Sequence, residues 1–535
     1  MAPKSKKLNA CKFNDKAFEA HMGLLSLNEV SDGLDDVSLA PMFTGHVGKH
    51  QVDLKRESSG RVDIPDQYGL LGRDLSKDQT SADDPRVFYN VAAPSSTFIC
   101  GSQGSGKSHT LATLLENCLV QSEANLLPRP LTGLVFHYDT FISDAGGLPC
   151  EAAHLSSHPG IKVRVFCPPT NVTNLKRIYS TMPNVSVQEL RLGQADLNTK
   201  RMLDLMAVNS GQNGRMPLYL HVVARVLRES RIQQQKLGGT FDYHGFKRAL
   251  EAENLTESQS IPLQQRLETL ESFMAKEESR VSGVATQGSK KKKNKAGAFG
   301  GGPSDWTPVS GQLTVVDLSC PCVTPEMACS LFNVCLGLFL EQETSLGKVV
   351  ALDESHKYMT DNVESQAFTE SLLSTIRLQR HLGVRVIVST QEPTVSTRLL
   401  DLCSMTIVHR FTSPDWLQVL KRHLAGGLDL SELNEKDGCE GQQQQQGETG
   451  QTKDANVVVY PAMSPLRLFS NVVQLRTGEA LLFSPSAVVD TVRTAYPSGT
   501  GDAKVGWQAV FLGRGVMKVR VRDRITNDGG RSVMA

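Results

Sequence analysis

Eight consecutive residues constrain this chain more than any others. Gly101-Ser102-Gln103-Gly104-Ser105-Gly106-Lys107-Ser108 fits the pattern G-x-x-x-x-G-K-[ST] in full. Ser96 to Cys100 just before it is a short β-prone run, and His109 to Val120 just after it has helical periodicity. A phosphate-binding loop needs that strand–loop–helix order. The glycines let the backbone wrap a triphosphate, while the loop N–H groups and the helix N-terminus face its anionic oxygens. Lys107 then reaches the β- and γ-phosphates, and Ser108 can ligate Mg²⁺. Gly101, Ser102, Gln103, Gly104, Ser105, Gly106, Lys107, Ser108 and His109 are therefore the candidate nucleotide-binding residues. A chance glycine-rich turn would need neither the Lys-Ser pair nor the flanking elements.

Bulk composition excludes several other classes. The chain has 535 residues and a formal net charge of +1, so whole-chain electrostatics do not pull it towards nucleic acid or an acidic membrane. Its eleven cysteines are scattered without CxxC pairs, which indicates neither a zinc-finger-type site nor a disulfide framework. Cys320-Pro321-Cys322 reads as two small, semi-buried residues. The odd cysteine count and the lack of an apolar run in Met1 to Phe13 point to a reducing, intracellular compartment, nuclear or cytoplasmic. Leu331 to Leu340 is too short to span a bilayer, so no membrane partner is expected.

Residues 1–84 are polar and turn-rich, as in Glu57-Ser58-Ser59-Gly60, and predict a partly ordered region with at most one short β element. Residues 85–281 read as the first part of an α/β core. Strands are predicted at Leu131 to Tyr138, Ile161 to Phe166 and Val185 to Leu190, followed by a helical insertion with helices at Leu218 to Ser230 and Pro262 to Met274. Residues 282–305 form a Gly/Lys linker, and 438–455 a low-complexity insertion with five consecutive glutamines; neither can bury a core. Between them, 306–437 reads strand Gln312 to Leu318, helix Pro325 to Glu341, strand Lys348 to Leu352, helix Ser365 to His381 and strand Val384 to Ser389. Residues 456–535 read as a β-rich C-terminal extension. Strands alternating with helices of this length predict a mainly parallel central sheet.

A second motif completes the chemistry. Val349-Val350-Ala351-Leu352 is a buried-type strand ending in Asp353-Glu354. In an open α/β sheet that end lies at the ligand-binding edge. There Asp353 would hold Mg²⁺ through water, and Glu354 would polarise an attacking water. The next strand ends Ser389-Thr390-Gln391, which makes Gln391 a candidate to touch the γ-phosphate or that water. Arg377 and Arg380, near the end of the intervening helix, are either surface charges complementing the helix dipole or arginines that stabilise a transferring phosphoryl group, in this subunit's site or a neighbour's.

Taken together, GSQGSGKS, KVVALDESHKYM and TIRLQRHLGVRVIVSTQEPT resemble the HerA/FtsK branch of P-loop ATPases. That family has an Asp-Glu-Ala-His-like strand end, where this chain carries Asp353-Glu354-Ser355-His356, then an arginine-bearing helix and a strand ending in Thr-Gln. The resemblance covers roughly 87–425 and, more weakly, 456–530. The long interval between Lys107 and Asp353 suits it, because that core tolerates helical insertions there. It implies a RecA-like core with an additional strand and a catalytic glutamate, ATP and Mg²⁺ as ligands, a homo-oligomeric, hexameric ring, and movement of DNA or another polymer. No counterpart of the family's N-terminal barrel is recognisable in residues 1–84.

Two local basic features remain. Lys518, Arg520, Arg522 and Arg524 alternate with Val519, Val521, Asp523 and Ile525, so a strand here would carry one basic face. That face is either solvated or a contact for a phosphate backbone or a neighbouring subunit's nucleotide. The Lys290 to Lys295 cluster is either solvated linker charge or a nuclear-import or nucleic-acid tether. The sequence thus predicts an ATP hydrolase, with a translocating motor and a nucleotide-gated switch on a protein partner as its two candidate modes.

Overall fold

The protein is described here from a computed structural model. It describes residues 35–50, 64–76, 84–144, 146–206, 218–253, 255–275, 302–393, 396–423, 465–496 and 504–529. Their strands join in one continuous, mostly parallel sheet flanked by helices. Its parallel half runs Val185–Glu189, Lys162–Cys167, Gln312–Asp317, Thr132–His137, Lys348–Leu352, Val384–Thr390, Ser96–Cys100, Met405–Val408.

The strands nearest the phosphate loop are buried along their whole length, because helices cover both faces. Alternate residues serve the two sides. Phe98, Leu134, Val350 and Val386 join a core with Leu331 and Phe332 of helix Pro325–Leu340. Ile99, Val135, Val349 and Ile387 face Leu111, Leu114 and Leu115 of helix Lys107–Leu119.

Val384–Thr390 is inserted between the phosphate-loop strand and Lys348–Leu352, with Thr390 beside Cys100 and Val388 beside Leu352. All three strands therefore end at the same edge of the sheet. The helix expected over Ser365 to His381 is interrupted at Leu378, which separates Val363–Arg377 from the single turn Gln379–Leu382.

The other half of the sheet is mainly antiparallel. Glu479–Phe483 pairs with Met405–Val408, and Met517–Val521, Tyr68–Asp74, Arg86–Asn90 and Met42–Thr44 follow, with Val488–Tyr496 and Lys504–Phe511 beyond. The N-terminal region is thus more ordered than its polar sequence suggests. It supplies two strands, the helix Asp35–Leu39 and a helical segment at 45–50, around a small core of Val37, Phe43, Val47 and Val488. Of the linker expected at 282–305, residues 282–301 with the Lys290 to Lys295 cluster lie outside the described residues, as does the glutamine-rich insertion at 438–455, while 302–305 are described and the Ser304 amide donates to the Arg191 carbonyl at 2.8 Å. Among those residues no helix is long and apolar enough to cross a membrane.

Candidate nucleotide site

The loop Gly101 to Ser108 leaves the end of its buried strand and enters helix Lys107–Leu119 directly. Gly106 caps the helix at φ +110°, where a Cβ would also meet the Gly478 amide at 3.0 Å. The free N–H groups of the first turn face outward, an anion site before any side chain is counted.

The surroundings hold the loop firmly. Ser102 donates from its amide and its hydroxyl to the Arg410 carbonyl, both at 2.8 Å. The Ser105 hydroxyl donates to the Ser102 carbonyl at 2.6 Å, and the Gly478 amide to the Ser105 carbonyl at 3.2 Å. His409 packs under the loop, its ring bonded to the Thr110 hydroxyl at 2.9 Å and the Glu479 carbonyl at 3.0 Å. Full burial pushes the His409 pKa down to about 4, helped by the charges of Lys107 and His109. It is a neutral strut at physiological pH.

Lys107 is 3% exposed, and its ammonium donates to the Ser102 carbonyl at 3.1 Å. Burial lowers its pKa, against the opposing pull of Glu354 and Asp353. That pull brings together the two motifs, far apart in the chain. Asp353 is 2% exposed; its Oδ2 lies 3.3 Å from His137 Nδ1, while its Oδ1 is buried without a partner.

Glu354 adopts φ +47°, ψ +46°, left-handed backbone that a residue with a side chain adopts at a cost of about 1–3 kcal/mol. This turns its carboxylate towards the next strand, where Gln391 Nε2 donates to Glu354 Oε2 at 3.1 Å. His356 Nδ1 lies 3.3 Å from the same oxygen and 3.4 Å from the Gln391 amide. One ring nitrogen can accept from the amide or donate to the carboxylate, not both. Burial keeps His356 below its ordinary pKa, so the ring is neutral and its tautomer decides which of the two bonds Nδ1 makes.

The predicted residues Lys107, Asp353, Glu354 and Gln391 therefore meet at one edge of the sheet. Ser108 opens the helix beside Lys107, and the exposed Gln103 and Gly104 form the tip of the loop. The His109 ring is committed elsewhere. Its Nε2 bonds the Arg522 carbonyl at 2.8 Å.

Arg377 and Arg380 are exposed at the opposite edge, where the Val384–Thr390 strand begins. Seven residues of strand put roughly 20 Å between them and this chain's own phosphate loop. They do not join it.

The expected basic face at 518–524 also divides. The strand ends at Val521, with Arg520 exposed and Lys518 paired to Glu479 at 2.9 Å. Arg522 and Arg524 turn inward onto the P-loop helix. Glu116, wholly buried, accepts from Arg522 at 2.8 Å, from the Thr526 amide at 2.9 Å and from the Thr526 hydroxyl at 2.6 Å, and Arg524 pairs with Glu151. Burial alone would raise the Glu116 pKa, but Thr526 and Arg522 outweigh it and lower it.

Sequence reasoning missed His409, His137, His356 and the exposed Arg476, which precedes the Thr477-Gly478 turn against the loop. Only His356, beside Asp353-Glu354, carried a local signal. The other three reach the site through distant pairing.

No family model matches this chain, and no curated protein matches it. Solved structures similar to it include VirB4 of Thermoanaerobacter pseudethanolicus, 11% identical, covering 85% of this chain and 96% of that one at a TM-score of 0.38. Another is the cytoplasmic domain of the Type VII secretion ATPase EccC of Thermomonospora curvata, 11% identical, with 85% of this chain on 28% of that one at 0.27. A third is the genome packaging NTPase B204 from Sulfolobus turreted icosahedral virus 2, in complex with ATP-gammaS, 12% identical, with 37% and 69% covered at 0.20.

Proposed function

We propose that this chain binds ATP with Mg²⁺ and hydrolyses it, as a ring-forming motor of the HerA/FtsK type acting on nucleic acid. The observation that carries the hydrolase reading is the meeting of Lys107, Asp353, Glu354 and Gln391, from three parallel strands, at the edge where the phosphate loop begins. Bound β- and γ-phosphate oxygens replace the Ser102 carbonyl as acceptors for Lys107, whose cation counters charge developing on the transferring group. Asp353 Oδ1, buried and unpartnered, fits the duty of a metal-facing carboxylate. Ser108 and Asp353 would hold Mg²⁺, which would neutralise charge on the same oxygens. Glu354 accepts a proton from the attacking water, and Gln391 keeps its carboxylate turned to the cleft.

The arginines support the ring reading. Arg377 and Arg380 are exposed and roughly 20 Å from their own loop, which suits action in a neighbour's site. Doping wild-type enzyme with an Arg377→Ala/Arg380→Ala variant is expected to depress turnover more than in proportion to the dose, and a strictly linear mixing curve would remove the trans role. For the motor, steady-state turnover with and without DNA decides: strong stimulation is expected, whereas indifference to DNA would favour a nucleotide-gated switch on a protein partner.

A further inference from the structure

Next to the nucleotide site the fold gathers a second set of donors. Strands Thr132–His137 and Lys348–Leu352 run parallel with Phe136 beside Leu352, so His137 and Asp353 emerge together at their ends. Cys150 joins them from the start of the short helix Glu151–Ser157. His137 is 6% exposed, Cys150 0% and Asp353 2%. His137 Nδ1 lies 3.3 Å and Cys150 Sγ 3.9 Å from Asp353 Oδ2, and the three donor atoms all fall within 4.8 Å of one another. Among the described residues no other group of three His, Cys, Asp or Glu side chains converges in this way.

We infer that His137, Cys150 and Asp353 form a binding site for a thiophilic divalent cation of the Zn²⁺ class. The donor set is the first argument: imidazole and thiolate select zinc-like ions over Mg²⁺ or Ca²⁺, which prefer oxygen alone. The spacing is the second. Tetrahedral geometry with ordinary zinc bond lengths separates a nitrogen from an oxygen by roughly 3.3 Å and a sulfur from an oxygen by roughly 3.6 Å. The observed 3.3 and 3.9 Å, both measured to Asp353 Oδ2, lie within a few tenths of an ångström of those separations.

The supporting contacts are in place as well. The Cys150 amide donates to the Tyr179 hydroxyl at 2.9 Å, which itself donates to Asp317 at 2.6 Å, so the cysteine backbone is fixed. On binding, the thiol loses its proton to solvent and the thiolate sulfur bonds the metal. Three protein donors leave one position for water.

The site shares Asp353 with Mg²⁺, and this consequence rests on the ATPase reading above. A zinc-class ion on Asp353 Oδ2 holds the carboxylate against His137 and Cys150, and Mg·ATP turnover falls.

The test begins without nucleotide. Reduced, chelator-treated full-length protein is titrated with Co²⁺ and followed by its thiolate-to-cobalt charge-transfer absorption. One equivalent per chain should produce the band, Zn²⁺ should displace it, and Cys150→Ser should abolish it. A band that persists in Cys150→Ser would assign it to another cysteine and overturn the site, as would a wild-type chain that gives no band. His137→Gln keeps the thiol and serves if the serine variant does not fold. It should weaken Co²⁺ affinity by at least the about 10-fold typical even of an outer partner, and an unchanged affinity would overturn the proposal. Zn²⁺ should inhibit wild-type turnover and spare Cys150→Ser. If no turnover is found at all, the ATPase reading fails while the cobalt spectrum still decides the site.

Discussion

The two halves of the sheet are assembled in different ways. In the parallel half the strands nearest the phosphate loop are short apolar runs buried on both faces, each readable by itself whether its partner is near, as Lys348–Leu352 is to Val384–Thr390, or distant, as Ser96–Cys100 is. In the antiparallel half, Tyr68–Asp74 is sandwiched between Arg86–Asn90 and Met517–Val521, so one of its partners arrives from the far end of the chain. The first half carries the candidate chemistry and the second braces it. Gly478 and Glu479 touch the loop and His409, while Arg522 and Thr526 lock onto the helix that follows the loop.

If that division of labour is right, the largest effect belongs to the loop itself. Lys107→Ala removes the main cation on the β/γ-phosphates and should abolish ATP turnover while leaving the melting temperature close to wild type. Near-normal turnover in a clean preparation would overturn the loop assignment.

The bracing half should show itself in stability. Glu116→Gln leaves Arg522 facing a neutral amide in a buried site, and breaking a buried pair costs about 3–5 kcal/mol. Chemical denaturation is expected to report a loss of that order. A change below about 0.5 kcal/mol, the range of a surface substitution, would mean that the C-terminal segment is not anchored there.

A smaller effect joins the two halves at His409. Its folded pKa, about 4, is below the ordinary 6.5. The unfolded chain therefore takes up the proton first as pH falls. The stability held by neutral His409 is full above pH 6.5 and is lost progressively on the way to pH 4, by on the order of 3 kcal/mol. The stability profile of His409→Gln should be flatter than wild type across that window, and parallel profiles would show that the ring is not buried neutral.

Legibility followed the same division. Most of the parallel strands and the carboxylate pair could be read within a residue or two, because local apolar runs and strand-end carboxylates have short-range signatures, whereas the four-residue strand Met405–Val408 was missed. Tyr68–Asp74 could not, since its glycines and charged residues become strand only when Met517–Val521 pairs with them. Arg522 and Arg524 alternate as a strand face would, yet Glu116 and Glu151 draw them inward, contacts that periodicity does not encode. His409 follows a buried strand whose neighbours alone decide that it lies under the loop.

The central claim is that Glu354, turned towards the cleft by its left-handed backbone and held by Gln391, activates the water that attacks bound ATP. Measuring ATP affinity and single-turnover hydrolysis side by side for Glu354→Gln tests it most directly. The account predicts unchanged affinity with hydrolysis slowed roughly 10²-fold or more, the scale of a lost general base. Affinity and hydrolysis falling together would make Glu354 a structural residue, and hydrolysis at the wild-type rate would place water activation elsewhere.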